Sequence, residues 1–415
     1  MKRVVITGIG IISSVGKDKE EHLSAILKGY SGIDEISLFD VSTMPVRLGG
    51  EIRNINLEAL YSECPELRTI SDRKVLFGYL AFQEAFRDAR LVDMDGKIGL
   101  NLGVSLEVLP IERLTFPDPE IDAADFFVRY SEYANGLQIP LDTLNQLLIK
   151  RHRISGPSYV NCSACAASTQ AIGHSFKKVQ RGDNNIMVCG GYDSMLNPFG
   201  LGGFSLLGAL SARNELKAKA SRPYDRKRDG AILGEGAGII VLEELDSALS
   251  RNVRIYAEVV GYGSSLDAYS TTDPEPEGIG ARRAILGAIA DAQISPKAID
   301  YINGHGTSTP KNDLVETRAI KDVFGDQAYN IPISSTKSML GHLIAASGAV
   351  EVISALTGFL YNKLHPTINY EYPDPACDLD YIPNEAREWK GDYILKNSFG
   401  FGGQNACLIL KRYER

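Results

Sequence analysis

Short runs of β-branched residues alternate with helical patterns along the whole chain, and this alternation limits the possible fold more than any other feature. Strand-length apolar runs bounded by turn residues predict strands over 3–7, 98–103, 186–190, 238–243, 255–261, 301–303 and 406–410. Between them, apolar residues at helical spacing (Leu76, Tyr79, Leu80, Phe82, Ala85, Phe86) predict a helix over 72–89. A second helix is predicted over 280–292, and 341–360 reads as one long, mostly buried helix. This order predicts an α/β protein with largely parallel sheets. The plainest change of character falls near Ser250-Arg251-Asn252, after one complete series and before another. Two α/β halves sharing one core are therefore expected, over 1–250 and 251–415.

Charge and cysteine usage narrow the function classes. The 415 residues carry 44 Lys and Arg against 52 Asp and Glu, a net −8, which makes nucleic acid an unfavoured partner. No apolar stretch reaches the roughly 18–20 residues that span a bilayer, and no signal-like segment precedes the first strand, so no membrane insertion is expected. The 6 cysteines are too scattered for a disulfide scaffold. A cytoplasmic protein is the expectation.

Four motifs invite chemical readings. Gly8-Ile9-Gly10 opens like a dinucleotide fingerprint, but Ser13 stands at the third glycine position, so a tight strand-to-loop turn is expected. Cys162-Ser163-Ala164-Cys165 lacks the second ligand pair of a metal site. Cys165 precedes a run of small residues that should form a packed helix, whose N-terminus would favour a thiolate. By spacing alone, a buried inert cysteine fits as well as a nucleophile. His305 follows a strand, and His342 opens the predicted long helix, where a neutral imidazole would suit an oxyanion donor. A Cys and two His at element ends point toward nucleophilic acyl chemistry. The stretch from Asn397 to Gly403 reads as a glycine-rich turn presenting Phe399 and Phe401.

With these residues in place, the chain resembles the β-ketoacyl-acyl carrier protein synthases of the synthase II type, found in fatty acid and type II polyketide systems. The likeness runs nearly end to end. It is carried by Ser163-Ala164-Cys165-Ala166, Arg228-Asp229-Gly230, Gly234-Glu235-Gly236-Ala237-Gly238, His305 to Pro310, Lys337 to His342, and Asn397 to Gly403. The resemblance implies the thiolase fold, two similar halves in a five-layered αβαβα core, and usually a homodimer. It implies Cys165 as the nucleophile that takes an acyl chain from an acyl carrier protein. His305 and His342 would stabilise the enolate formed when malonyl-carrier protein loses CO2. Lys337 would order the site with Glu316 as its ionic partner. Phe401 would gate the nucleophile, and its backbone N–H, with that of Cys165, would hold the oxyanion. Thr307, Thr309 and Phe399 would contact substrate. No metal and no cofactor are implied, the substrates being carried on phosphopantetheine.

The departures lie elsewhere. The stretch 104–153 matches the family poorly, Gly208 stands where an Arg is usual, and Gln404 replaces a Thr. These changes point toward a specialised, polyketide-type pathway. With that Arg missing, docking of the acidic carrier is expected to lean on Arg68, Arg73, Lys74 and Arg213. Two other functions are consistent with the family: a malonyl-carrier decarboxylase supplying starter units, and a non-catalytic chain-length partner in a heterodimer. Both usually lack the nucleophile, so Cys165 weighs against them.

Overall fold

The computed structural model describes residues 1–70, 72–91, 98–105 and 140–414. Most of the divergent 104–153 stretch, from 106 to 139, therefore lies outside the described residues.

Among the described residues, ten strands form the main path of a 12-stranded sheet, to which the short strands Asp34–Glu35 and Leu48–Gly50 attach at its side: β1 (Val4–Ile12), β2 (Ile98–Gly103), β3 (Ser158–Asn161), β4 (Ile186–Ser194), β5 (Leu233–Glu244), β6 (Ala257–Leu266), β7 (Tyr301–Asn303), β8 (Ile333–Ser334), β9 (Tyr393–Gly400) and β10 (Gln404–Lys411). From the centre outward, the first five run β1-β5-β4-β2-β3 and the last five run β6-β10-β9-β7-β8. The two orders are the same. In each set the fifth strand runs against the other four, which is why the sheet is mixed rather than largely parallel. The sets meet where Val4–Ile6 of β1 pair antiparallel with residues 257–259 of β6, so a pseudo-twofold axis passes between them.

Helices cover both faces. On the outside, α1 (Arg73–Asp88) packs on β1 and β5, while α3 (Ile279–Asp291) packs on β6 and β10, backed by α4 (Pro310–Phe324). Between the two sheets lie α2 (Ala167–Arg181) and α5 (Ser347–Ala355), packed on each other. This is the five-layered αβαβα arrangement of the thiolase fold. Because both faces of each half of the sheet are covered, the central strands are mostly buried and rich in apolar residues on both faces. Along β5, Ile240 and Leu242 enter the central core while Ile239 and Val241 enter the outer one.

Two sequence expectations fail for clear reasons. Gly8 and Gly10 do not turn; β1 runs straight through them. A Cβ on Gly8 would lie 2.5 Å from the Ala85 carbonyl oxygen and one on Gly10 2.0 Å from that of Ala81, so these glycines let α1 press onto the strand. The predicted 341–360 helix is broken. His342 forms an isolated bridge with Leu233, a 3₁₀ turn spans Ile344–Ala346, and α5 begins only at Ser347.

Candidate active site

Cys165 leaves β3 through a turn in which Ala164 takes a left-handed φ of 49°, a conformation that costs a side-chain-bearing residue about 1–2 kcal/mol. A 3₁₀ turn over Ala164–Ala166 then hands the chain to α2. The tight approach of the β9–β10 connection requires Gly400, since a Cβ there would lie 3.1 Å from the Cys165 backbone nitrogen. Burial pushes the Cys165 thiol up to about 11. The backbone N–H groups of Phe401 and of Cys165 itself, with the Lys337 ammonium, act the other way. Burial thus outweighs the expected helix-end stabilisation of a thiolate, but the two N–H groups expected to hold an oxyanion do converge on the sulfur.

His342 Nε2 lies 3.1 Å from Cys165 Sγ. Its Nδ1 accepts the Ile344 N–H at 3.2 Å and lies 2.9 Å from the Ser347 hydroxyl. An occupied Nδ1 places the ring proton on Nε2, facing the cavity. The backbone on either side is clamped, with the His342 N–H on the Ile232 carbonyl at 2.7 Å and the Gly234 N–H on the His342 carbonyl at 2.9 Å. His305 stands two residues past β7, its ring 5.3 Å from that of His342 at 81°. Lys337 Nζ is 3.2 Å from its Nδ1 and donates to its carbonyl oxygen at 2.6 Å, so this ring also carries its proton on Nε2. Burial first, then the Lys337 charge, pushes both imidazoles well below their ordinary range. Both are neutral donors. The ligand atoms of Cys165, His305 and His342 lie within 4.8 Å of one another, yet rings presenting N–H groups suit a developing anion rather than a cation.

The supporting residues differ from expectation at one point. Lys337 pairs with Glu351 of α5, not with Glu316. Glu316 instead accepts the N–H groups of His305 and Gly306, each at 2.8 Å, and bonds the Tyr224 hydroxyl and Asn397 amide. It shapes the loop that carries His305. Asp313 does the same for the next residues, accepting the Thr307 N–H at 2.9 Å. Glu351 was legible: it is the lone charge between Gly341 and Tyr361, and a lone charge on a buried helix needs a partner.

A cavity of about 270 Å³ opens over the triad, lined also by Phe399, Phe401, Thr307 and Thr309. The Phe399 ring stands edge-on to His305 at 6.0 Å, and Phe401 stacks on Phe204 at 5.9 Å. The Thr307 and Thr309 hydroxyls are 2.8 Å apart, and Thr309 also caps α4 by accepting the Asn312 N–H at 3.3 Å.

The expected docking cations do not form one exposed patch. Lys74 is buried and paired with Asp72 at 2.7 Å, and Arg73 reaches inward to the buried Glu235 at 2.7 Å. Both lie on the first turn of α1, which packs onto the sheet and turns them into partners for buried carboxylates. Arg68 is exposed and bonds Glu58, and Arg213 faces Glu215. Leu207, which lines the cavity, is 55% exposed, and its neighbour Leu206 is 91% exposed.

Comparison with known proteins places this geometry. The family model described as "Beta-ketoacyl synthase, N-terminal domain" matches residues 1–248, and the one described as "Beta-ketoacyl synthase, C-terminal domain" matches 256–371. A 3-oxoacyl-[acyl-carrier-protein] synthase 2 of Synechocystis is 41% identical over 419 residues, covering 100% of this chain and 99% of the relative. The crystal structure of a β-ketoacyl synthase from Burkholderia phymatum superposes with a TM-score of 0.87 at 32% identity, covering 100% of both chains. A type II polyketide ketosynthase, AntDE, solved with its acyl-carrier protein AntF and bound to the hexaketide, superposes with a TM-score of 0.85 at 31% identity, covering 99% of this chain and 100% of that one.

Proposed function

The chain belongs to the β-ketoacyl synthase family, as a condensing acyltransferase of the 3-oxoacyl-carrier-protein synthase type, and from that premise we propose how its residues divide the reaction. The Cys165 sulfur attacks the thioester of an acyl-carrier protein. The acyl group passes to Cys165, and the thiol proton leaves on the released carrier thiol. Malonyl-carrier protein then binds with its thioester carbonyl against His305 and His342. Its C–C bond breaks, CO2 departs, and the electron pair remains as an enolate held by the two Nε2–H groups. The enolate carbon attacks the acyl-Cys165 carbonyl, whose oxyanion is received by the Phe401 and Cys165 N–H groups. Collapse expels the Cys165 thiolate, which regains a proton from solvent, and leaves a β-ketoacyl-carrier protein. No metal or cofactor takes part. The observation that carries this reading is the convergence of one sulfur, two neutral imidazole donors and two backbone N–H groups on one cavity.

The finer assignments belong to the same proposal. Thr307, Thr309 and Phe399 contact the phosphopantetheine arm, and Phe401 gates the thiol. The chain divides at 250/251, the first half carrying the nucleophile and the second the two histidines. It works in the cytoplasm as a homodimer; β3, the edge strand among the described residues, with Tyr159 exposed, is suited to extending the sheet into a second copy. The carrier docks beside the mouth through Arg213 and the exposed Leu206 and Leu207, while Arg68, paired with Glu58, stands apart from the cavity lining. Gly208 and Gln404 favour a specialised pathway over the housekeeping one.

Incubation with acyl-carrier proteins of graded chain length tests this. The expected result is an acyl mass shift on Cys165 that disappears in Cys165→Ala, a variant in which loading falls by roughly 10⁴-fold or more. CO2 release from malonyl-carrier protein without any acyl-Cys165 would indicate a starter-supplying decarboxylase, and neither event a non-catalytic partner subunit. Preference for plain saturated chains would remove the specialised pathway and leave the condensation standing.

A further inference from the structure

Lys396 has no part in the scheme above, yet it is fully buried at the centre of the molecule. It lies on β9 opposite Asn303 of β7, two residues before His305, and shares with Ile394 the strand face turned toward the central helices. Glu351 Oε2 is 2.8 Å from its ammonium. The Asn397 carbonyl accepts from it at 2.6 Å, the Ser398 hydroxyl bonds it, and Thr169 Oγ1 on the first turn of α2 lies 3.5 Å away. The other oxygen of Glu351 pairs with Lys337. One buried carboxylate therefore serves two buried ammonium groups, so the formal charges of the trio do not cancel.

Such a surplus is expensive in a low-dielectric interior unless something uses it. The titratable groups that feel its charge, besides Glu351 and Lys337, are His305, His342 and Cys407 on the neighbouring strand. Burial draws the Lys396 ammonium down, Glu351 draws it back, and Lys337 opposes it again. Lys396 in turn helps push both imidazoles down, behind burial and Lys337. Through Glu351 this charge is tied to Lys337, whose ammonium stands at His305 Nδ1, the ring nitrogen opposite the Nε2 that receives an enolate.

We propose that Lys396 is a positioning residue for the two histidines: by sharing Glu351 with Lys337 it leaves an uncancelled positive charge that both rings feel, which keeps both as neutral Nε2–H donors and favours the developing enolate. The proposal rests on the condensing function given above. A lysine that merely ties β9 to α2 and α5 would lower activity equally at every pH. A lysine acting through its charge moves the pH profile. Removing a positive charge raises the imidazole pKa, and a proton arriving on His305 Nδ1 would displace the Lys337 contact. The acid limb of malonyl-carrier decarboxylation should therefore move to higher pH in Lys396→Met and Lys396→Gln. The rate near neutrality should fall roughly tenfold, less than the ~10²–10³ lost with a direct donor. Lys396→Arg should keep the wild-type limb even where its bulk lowers the rate.

An acid limb unmoved in the neutral variants overturns the assignment. Should they not fold, histidine ¹⁵N signals of the wild-type enzyme decide. Both rings must stay in the Nε2–H neutral form down to the ordinary histidine value of 6.5, and an imidazolium signal from either above it overturns the proposal. Wild-type enzyme that releases no CO2 would instead sink the condensing function itself.

Discussion

The two halves of the molecule repeat one strand order, and they repeat its most strained detail as well. Ala164 before α2 has φ 49°, and Ile344 before α5 has φ 44°. The residue after each is Cys165 in one half and Ala345 in the other. Two residues past the second strand of each set stand Ser105 and His305. Around Ala345 and Ser105 the donors are closed off: Asp193 accepts the Ala345 N–H at 2.8 Å and the Ser105 hydroxyl at 2.6 Å. Around Cys165 no carboxylate among the described residues does this, and its N–H, the Phe401 N–H and two imidazoles face a cavity. The fold thus supplies the same backbone device twice. The copy whose donors are left open is the one to which the proposed reaction is assigned.

Removing the open donors should break this asymmetry most severely. His305→Ala and His342→Ala should each lower decarboxylation of malonyl-carrier protein by roughly 10²–10³-fold, while mass spectrometry still finds Cys165 acylated. Normal CO2 release from both variants would place enolate stabilisation elsewhere.

Closing groups should matter to stability instead. Asp193→Ala leaves the Ser105 hydroxyl and Ala345 N–H without their acceptor, and should lower the unfolding free energy in urea by about 2–3 kcal/mol. Burial raises the Asp193 carboxyl to about 6 from 3.8. Between those values the folded protein holds a proton that the unfolded chain has released. This group's contribution is therefore full below 3.8 and falls by about 1.4 kcal/mol per pH unit up to about 6. Wild type should lose stability relative to Asp193→Asn across that window and run parallel to it above. A constant difference would mean that Asp193 is not desolvated.

What could be read from the sequence follows the same division between local pattern and long-range contact. Cys165, His305 and His342 stand in motifs whose residue types announce their chemistry, and the strands at 98–103 and 301–303 were bounded by their own turn residues. The short β3 and β8 carry too little apolar pattern to stand out, and β9 was hidden by reading Asn397–Gly403 as turn. Glu351 and Lys396 are each the lone charge of a buried element, a visible signal, but their pairing joins residues 45 apart in sequence. Arg73 and Lys74 look like surface charges until α1 is seen to bury its first turn, and no spacing rule carries that information. Gly8 and Gly10 were misread for a related reason: the backbone they accommodate belongs to a helix more than 70 residues away.

The smallest expected effect bears on the strained residues themselves. At Ala164 the left-handed conformation costs about 1–2 kcal/mol, and glycine would remove that penalty while adding about 0.5–1 kcal/mol of unfolded-chain entropy. Ala164 is only partly buried, so its Cβ gives up little packing. Ala164→Gly should then shift the unfolding free energy by less than about 1 kcal/mol. Ile344 has the same backbone but is 4% exposed and packs in the apolar cluster around Cys165. Ile344→Gly should destabilise by roughly 2–5 kcal/mol, as loss of a buried aliphatic side chain does. Urea unfolding of the pair measures the difference. The first half should also show a cost in function that stability does not report, because a glycine before Cys165 loosens the turn that aims the sulfur. Acyl loading by Ala164→Gly should fall several-fold at nearly unchanged stability. Equal destabilisation of the two variants would mean that the backbone conformation, and not the packing around it, decides the energy of both turns.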